Sequence, residues 1–117
     1  MGSARIPTAV VNGTAYGGAE LLRLLRHHPT FALTEVTARG EAGRPVAEVF
    51  PHLADSPLVF SERVREAALV FVALPDEAAV ALIPELLAAG RRVVDLSAGF
   101  RLRDGALYPR WYRYEHP

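Results

Sequence analysis

The sequence predicts an α/β fold: a doubly wound parallel sheet of about five strands in a single domain. Three observations predict it. Short apolar runs of strand length alternate with stretches of helical periodicity along all 117 residues. The run Ala68 to Leu74 is apolar at every position, as a strand covered on both faces must be. The first strand-to-helix connection is rich in glycine. Strand, helix, strand in repetition implies parallel pairing through right-handed crossovers, with helices on both faces of the sheet. The expected strand order is 3-2-1-4-5.

The elements follow in order. Thr8-Ala9-Val10-Val11 forms the first strand, after a Pro7 suited to a strand start. The turn Asn12 to Gly18 leads into a helix from Ala19 to Arg26, in which Leu21, Leu22, Leu24 and Leu25 make one apolar stripe. Pro29 stops it. Phe31 to Thr37 is the second strand, and Gly43 to Leu53 reads as a loop with a short helical turn. Pro57 to Phe60 is expected as a short third strand, and Ser61 as the cap of a helix from Glu62 to Ala67. The strand Ala68–Leu74 precedes a helix opened by Pro75-Asp76 and ended near Ala89 by Gly90, with a kink or break expected at Pro84. Arg92 to Leu96 is the last strand. The chain from Phe100 onward is aromatic and irregular.

Composition removes several classes of function. Half the residues are hydrophobic, so the chain is not disordered. Thirteen basic residues, all arginine, balance thirteen acidic ones, and that neutrality gives no general attraction to nucleic acid or to an anionic membrane. There is no cysteine, hence no disulfide and no thiol nucleophile among these residues. The absence of lysine removes Schiff-base chemistry. No apolar run approaches the roughly 20 residues needed to span a bilayer, and Met1 to Arg5 lacks the apolar core of a signal peptide, so a cytoplasmic location is expected. His27 and His28 are expected to be exposed, and His52 and His116 are isolated. None has metal-ligand spacing, and no metal is expected. Trp111, Tyr112 and Tyr114 read as packing or interface residues.

The turn after the first strand is where a dinucleotide-binding, Rossmann-like fold holds a pyrophosphate. The following helix presents unpaired N–H groups and the positive end of its dipole. A spacing of three residues lands on Asn12, Ala15 and Gly18, of which only the last is glycine. Asn12 tolerates a left-handed backbone, and Ala15 adds a methyl group to the seat. The second strand ends without a carboxylate for a ribose hydroxyl. Arg39 follows it, with Arg44 a few residues on, and guanidinium groups there suit a 2′-phosphate. Leu74-Pro75 and Ser97 lie at the carboxyl ends of later strands, beside the ligand crevice. Ser97 can hydrogen-bond a cofactor or cap a turn. Asp76 suits a helix start better than catalysis.

Several segments together resemble the N-acetyl-γ-glutamyl-phosphate reductase family. They are Ala19 to Leu25, Ala38 to Val46, Val49 to Leu53, Ala73 to Pro75, Val94 to Leu102, Trp111-Tyr112 and Glu115 to Pro117. Related reductases of carrier-bound aminoadipyl phosphate in lysine synthesis are similar. The resemblance implies an NADP-dependent reduction of an acyl phosphate to a semialdehyde, through a cysteine thioester. It implies that Asn12, Gly13, Thr14, Ala15, Tyr16, Gly17 and Gly18 face the pyrophosphate, Arg39 and Arg44 the 2′-phosphate, and Leu74, Pro75 and Ser97 the rest of the cofactor. The family usually has glycine at Asn12 and Ala15, threonine near Gly17, histidine near Asp76 and aspartate at Gly99. Its cysteine, histidine acid/base and substrate domain lie beyond Pro117. The chain is therefore expected to be a truncated nucleotide domain, incompetent for catalysis alone, that meets the acyl-phosphate substrate only if the missing half is supplied. The other expectation is a non-catalytic Rossmann-like module that has lost the cofactor and self-associates through its sheet edge and aromatic tail.

Overall fold

The computed structural model describes residues 5–112 and 116, with side chains omitted at 111 and 112. Four parallel strands form one sheet in the order β2-β1-β3-β4: β1 Ile6–Val11, β2 Phe31–Thr37, β3 Leu69–Val72 and β4 Arg92–Asp95. Helix α1 (Tyr16–Leu25) connects β1 to β2, and α3 (Asp76–Ala88) connects β3 to β4. A short α2 (Val46–Val49) and a 3-10 turn at Pro51–Leu53 lie between β2 and β3. A second 3-10 turn at Gly105–Leu107 leads into α4, Tyr108–Tyr112.

The alternation of strand side chains divides the core in two. Val10, fully buried, joins Leu22, Leu25 and Val36 under α1. Its neighbours Ala9 and Val11 point the other way, to Val70, Val72, Ala79, Ile83 and Leu86 under α3. Helices therefore cover both faces, as a parallel sheet requires. In α1 the buried positions are Gly18, Leu22 and Leu25. Leu24, read as part of the stripe, is 55% exposed, because a four-leucine run wraps wider than the one face that meets the sheet.

Three expected elements differ. Pro57 to Phe60 does not extend the sheet to five strands. Its residues pair instead with the loop before α2: Val46 N–H donates to Leu58 O at 2.9 Å and Phe60 N–H to Arg44 O at 2.9 Å. Only Ser61 reaches β2, in a single parallel bridge with Thr37. The other four strands keep the expected order across the sheet, and the expected third strand is absent from it. No helix forms from Glu62 to Ala67. The Ser61 hydroxyl donates to carbonyls at Val36 and Arg63 instead of capping, and the Glu35 carboxylate accepts the N–H groups of Arg65, Glu66 and Ala67 at 2.6, 3.0 and 2.6 Å. Finally, α3 runs unbroken through Pro84, which is exposed. The proline sits in the third turn on the solvent side, where water can take the carbonyl it leaves unpaired.

Glu35 is positioned by a bulge. Leu33 lies opposite Thr8 and Glu35 opposite Ala9, so Thr34 is the extra residue of β2. Arg91 grips the same segment, donating to the carbonyls of Ala67 and Arg65. Burial pushes the Glu35 carboxyl up, but the three backbone N–H groups and then the Arg91 charge outweigh it and hold it below its ordinary 4.5. A carboxyl depressed on folding stabilises the fold above its unfolded value, and this is lost as pH falls through the folded one. Glu35→Gln is thus expected to lower the melting temperature by roughly 5 °C at pH 7, since donors to a charged acceptor lose it. The gap from wild type should close as pH falls below 4.5. Melts at pH 7 and pH 3 check this; a gap unchanged by acid contradicts it.

Candidate functional site

The site is built where β1 ends. Asn12 adopts φ +69, a left-handed conformation that asparagine tolerates better than most residues. Its backbone N–H donates to Thr37 Oγ1 at 3.2 Å and its Nδ2 to Ala73 O at 3.0 Å, tying together the ends of β1, β2 and β3. Gly13 N–H donates to Thr37 O at 2.8 Å, and Ala15 N–H to Asn12 O at 3.2 Å. A side chain at Gly13 would begin 2.5 Å from Val36 Cγ1. At Gly18 it would begin 2.1 Å from Asn12 O, so the third glycine is the one that lets α1 close onto the turn.

Helix α1 starts at Tyr16, three residues before the periodicity suggests. Ala15, extended at φ −70 and ψ 160, provides no side-chain cap, and the first turn holds no acidic residue. The leading N–H groups therefore point, uncapped, out of a positive helix end. Gly17 has only Leu96 Cδ1 (3.7 Å) and Ala73 Cβ (4.0 Å) near its missing Cβ, and both it and Thr14 are exposed. Tyr16 is fully exposed. A seat of small residues without a carboxylate, facing open donors, fits a diphosphate.

Beside this turn runs an open groove of about 910 Å³ between the loop after β2 and the start of α3. Asn12, Thr37, Arg39, Leu74, Pro75 and Leu82 are among its lining residues. The structure thus brings Asn12, Arg39, Leu74 and Pro75 to one groove. Arg44 is not on its wall: it pairs with Glu41 at 2.6 Å and lies 3.8 Å from Glu48. Arg39 is exposed and has no ion-pair partner among the described residues. Ser97 caps a turn, its Oγ accepting Gly99 N–H at 3.0 Å while its own N–H donates to Asp95 at 2.8 Å. Asp76, in the first turn of α3, accepts Ala98 N–H at 2.8 Å and so ties that loop to the helix.

Other residues have roles that spacing did not disclose. Tyr108 is fully buried; its hydroxyl donates to Ala98 O at 2.9 Å and accepts Leu102 N–H at 3.0 Å, bracing the loop after β4. His116 Nε2 lies 2.6 Å from Gly99 O. His28 is half-buried rather than exposed: its Nδ1 accepts the N–H groups of Thr30 and Phe31, and its ring stacks on Phe31. The side chains of Trp111, Tyr112 and Tyr114 lie outside the described residues.

Residues 7–114 match the family model described as semialdehyde dehydrogenase, NAD binding domain. The chain belongs to that family. It is 45% identical over 111 residues to the N-acetyl-γ-glutamyl-phosphate reductase of Dehalococcoides mccartyi, covering 94% of this chain and 33% of that protein. The reductase of the same name from Bordetella bronchiseptica is 47% identical over 119 residues, covering 97% and 34%. The chain thus spans about a third of the length of these relatives. Among solved structures, an aspartate semialdehyde dehydrogenase with NADP from Candida albicans superposes with a TM-score of 0.74 at 21% identity, covering 87% of this chain and 32% of that one. That likeness shows the shared fold. The semialdehyde dehydrogenase match covers the glycine turn, the Arg39 loop and the groove together, so the altered glycine spacing at Asn12 and Ala15 sits within the family's nucleotide domain.

Proposed function

We propose that these residues bind NADP(H) as the N-terminal domain of an N-acetyl-γ-glutamyl-phosphate reductase. The support for the reading is an α1 terminus without a side-chain cap, following Asn12 on the wall of a groove that also holds Arg39, which has no ion-pair partner among the described residues. The turn from Asn12 to Gly18 seats the diphosphate, Arg39 takes the 2′-phosphate, and Leu74 and Pro75 line the path of the rest of the cofactor. Arg44 and Ser97 belong to the cofactor's surroundings. The bound coenzyme supplies hydride for reducing an acyl phosphate to a semialdehyde. With no cysteine here, a thiol nucleophile for that step has to come from outside these 117 residues. The relatives' shared name favours the arginine-pathway substrate over aminoadipyl phosphate. A biosynthetic role of this kind places the protein in the cytoplasm; among the described residues no helix is long and apolar enough to cross a membrane.

Titrating the chain with NADPH and NADH, followed by nicotinamide fluorescence, tests the reading. The expected result is saturable binding of both, with NADPH tighter. Binding of neither defeats it. A second reading, a module that self-associates, is favoured by one observation: β4 pairs only with β3 among the described residues, and Val94, Leu96 and Phe100 beside that open edge are 40%, 47% and 46% exposed. Gel filtration across concentrations separates the two, since a monomer that binds NADPH excludes it.

A further inference from the structure

The groove at the end of β2 holds a carboxylate as well as an arginine. Doubly wound folds read the ribose with an acidic residue at this point, and β2 itself ends in Thr37-Ala38-Arg39-Gly40 without one. The chain supplies one from elsewhere. Ser61 N–H donates to Val36 O at 2.9 Å and Ala38 N–H to Ser61 O at 3.3 Å, so Ser61 lies beside Thr37 in parallel register. Glu62 follows Ser61 directly and Arg39 lies two residues past Thr37, so both leave the same isolated bridge toward the same groove. Glu62 and Arg39 both line the groove, Glu62 is exposed, and neither has an ion-pair partner among the described residues. The segment carrying Glu62 is fixed, held by the Ser61 bridge on one side and by Glu35 at residues 65–67 on the other.

The geometry points to Glu62 as a determinant of coenzyme specificity that opposes Arg39: its carboxylate accepts hydrogen bonds from an unphosphorylated adenosine ribose and repels a 2′-phosphate. This rests on the reading of the groove as a coenzyme site. An ionised carboxylate only accepts hydrogen bonds, and a free ribose offers it hydroxyl donors. A 2′-phosphate replaces one donor by negative charge, which Glu62 disfavours and Arg39 favours. Glu62 therefore reduces the preference for NADPH over NADH that Arg39 sets. Glu85 lines the same groove from α3, so it tests whether any carboxylate on this wall, rather than Glu62, sets the ratio.

The test measures dissociation constants of NADPH and NADH, at low ionic strength, for wild type, Glu62→Gln and Glu85→Gln. Glu62→Gln is expected to tighten NADPH about fivefold and weaken NADH about threefold, moving their ratio by about an order of magnitude. Glu85→Gln should leave the ratio within twofold. An unchanged ratio in Glu62→Gln, or equal weakening of both coenzymes, overturns the assignment. Wild type that binds neither coenzyme defeats the underlying reading instead, which keeps the two failures distinct. Because the comparison is a ratio within one variant, a general loss of stability cannot imitate the expected result.

Discussion

Gly18→Ala is expected to lower the melting temperature by at least about 10 °C and to abolish coenzyme binding. The added methyl carbon would begin 2.1 Å from Asn12 O, 2.9 Å from Gly13 Cα and 3.0 Å from Asn12 C. All three atoms belong to the backbone, so no side chain can turn aside. Asn12 cannot retreat either, because its N–H is held by Thr37 and its carboxamide by Ala73. The strain must therefore move α1 away from β1, opening the packing of Leu22 and Leu25 against Val10 and Val36. Overpacking of this kind costs about 3 kcal/mol or more, and a domain of this size loses roughly 4 °C per kcal/mol. Moving α1 also removes the aligned N–H groups. Gly17→Ala provides the contrast: its methyl meets nothing closer than 3.7 Å and sits in a helix, where alanine is favoured. It should hold or raise the melting temperature. Calorimetry of the two variants decides the matter; a Gly18→Ala protein melting within 2 °C of wild type would refute the packing argument.

Arg39→Ala should weaken NADPH by about 10- to 100-fold while changing NADH by less than about threefold. A hydrogen-bonded charge pair with a phosphate is worth about 1.5–3 kcal/mol, and NADH offers no such group. Arg44→Ala should change neither coenzyme by more than about threefold, since that guanidinium is already engaged by Glu41. Titrations of both variants distinguish them. Equal loss in the two would show that the loop's general charge, not a placed arginine, attracts the coenzyme.

Much of the scaffold was legible because it is locally encoded. The β2 bounds Phe31–Thr37 and the burial of Leu22 and Leu25 follow from apolar spacing, and the end of α3 follows from Gly90, whose φ of +81 suits glycine. The segment from Pro57 to Ala67 was not legible. Its residues carry strand and helix signals, but their backbone groups are taken by non-local partners: Arg44 and Val46 for Leu58 and Phe60, Val36 and Ala38 for Ser61, and Glu35 for residues 65–67. Local propensity is outweighed wherever distant groups offer a complete set of hydrogen bonds. Tyr108 read as part of an irregular tail because its partners Ala98 and Leu102 lie in a loop without periodicity, and it proves to be a fully buried brace.

The amino-acid order by itself determined the alternation of strands and helices and the location of the glycine turn. These depend on periodicities of two and 3.6 residues and on where a backbone needs no side chain. Only the tertiary structure decided which of two arginines lines the groove, and that a glutamate from another segment lines it too. Those outcomes depend on competition among charged side chains for partners that chain folding alone brings within reach.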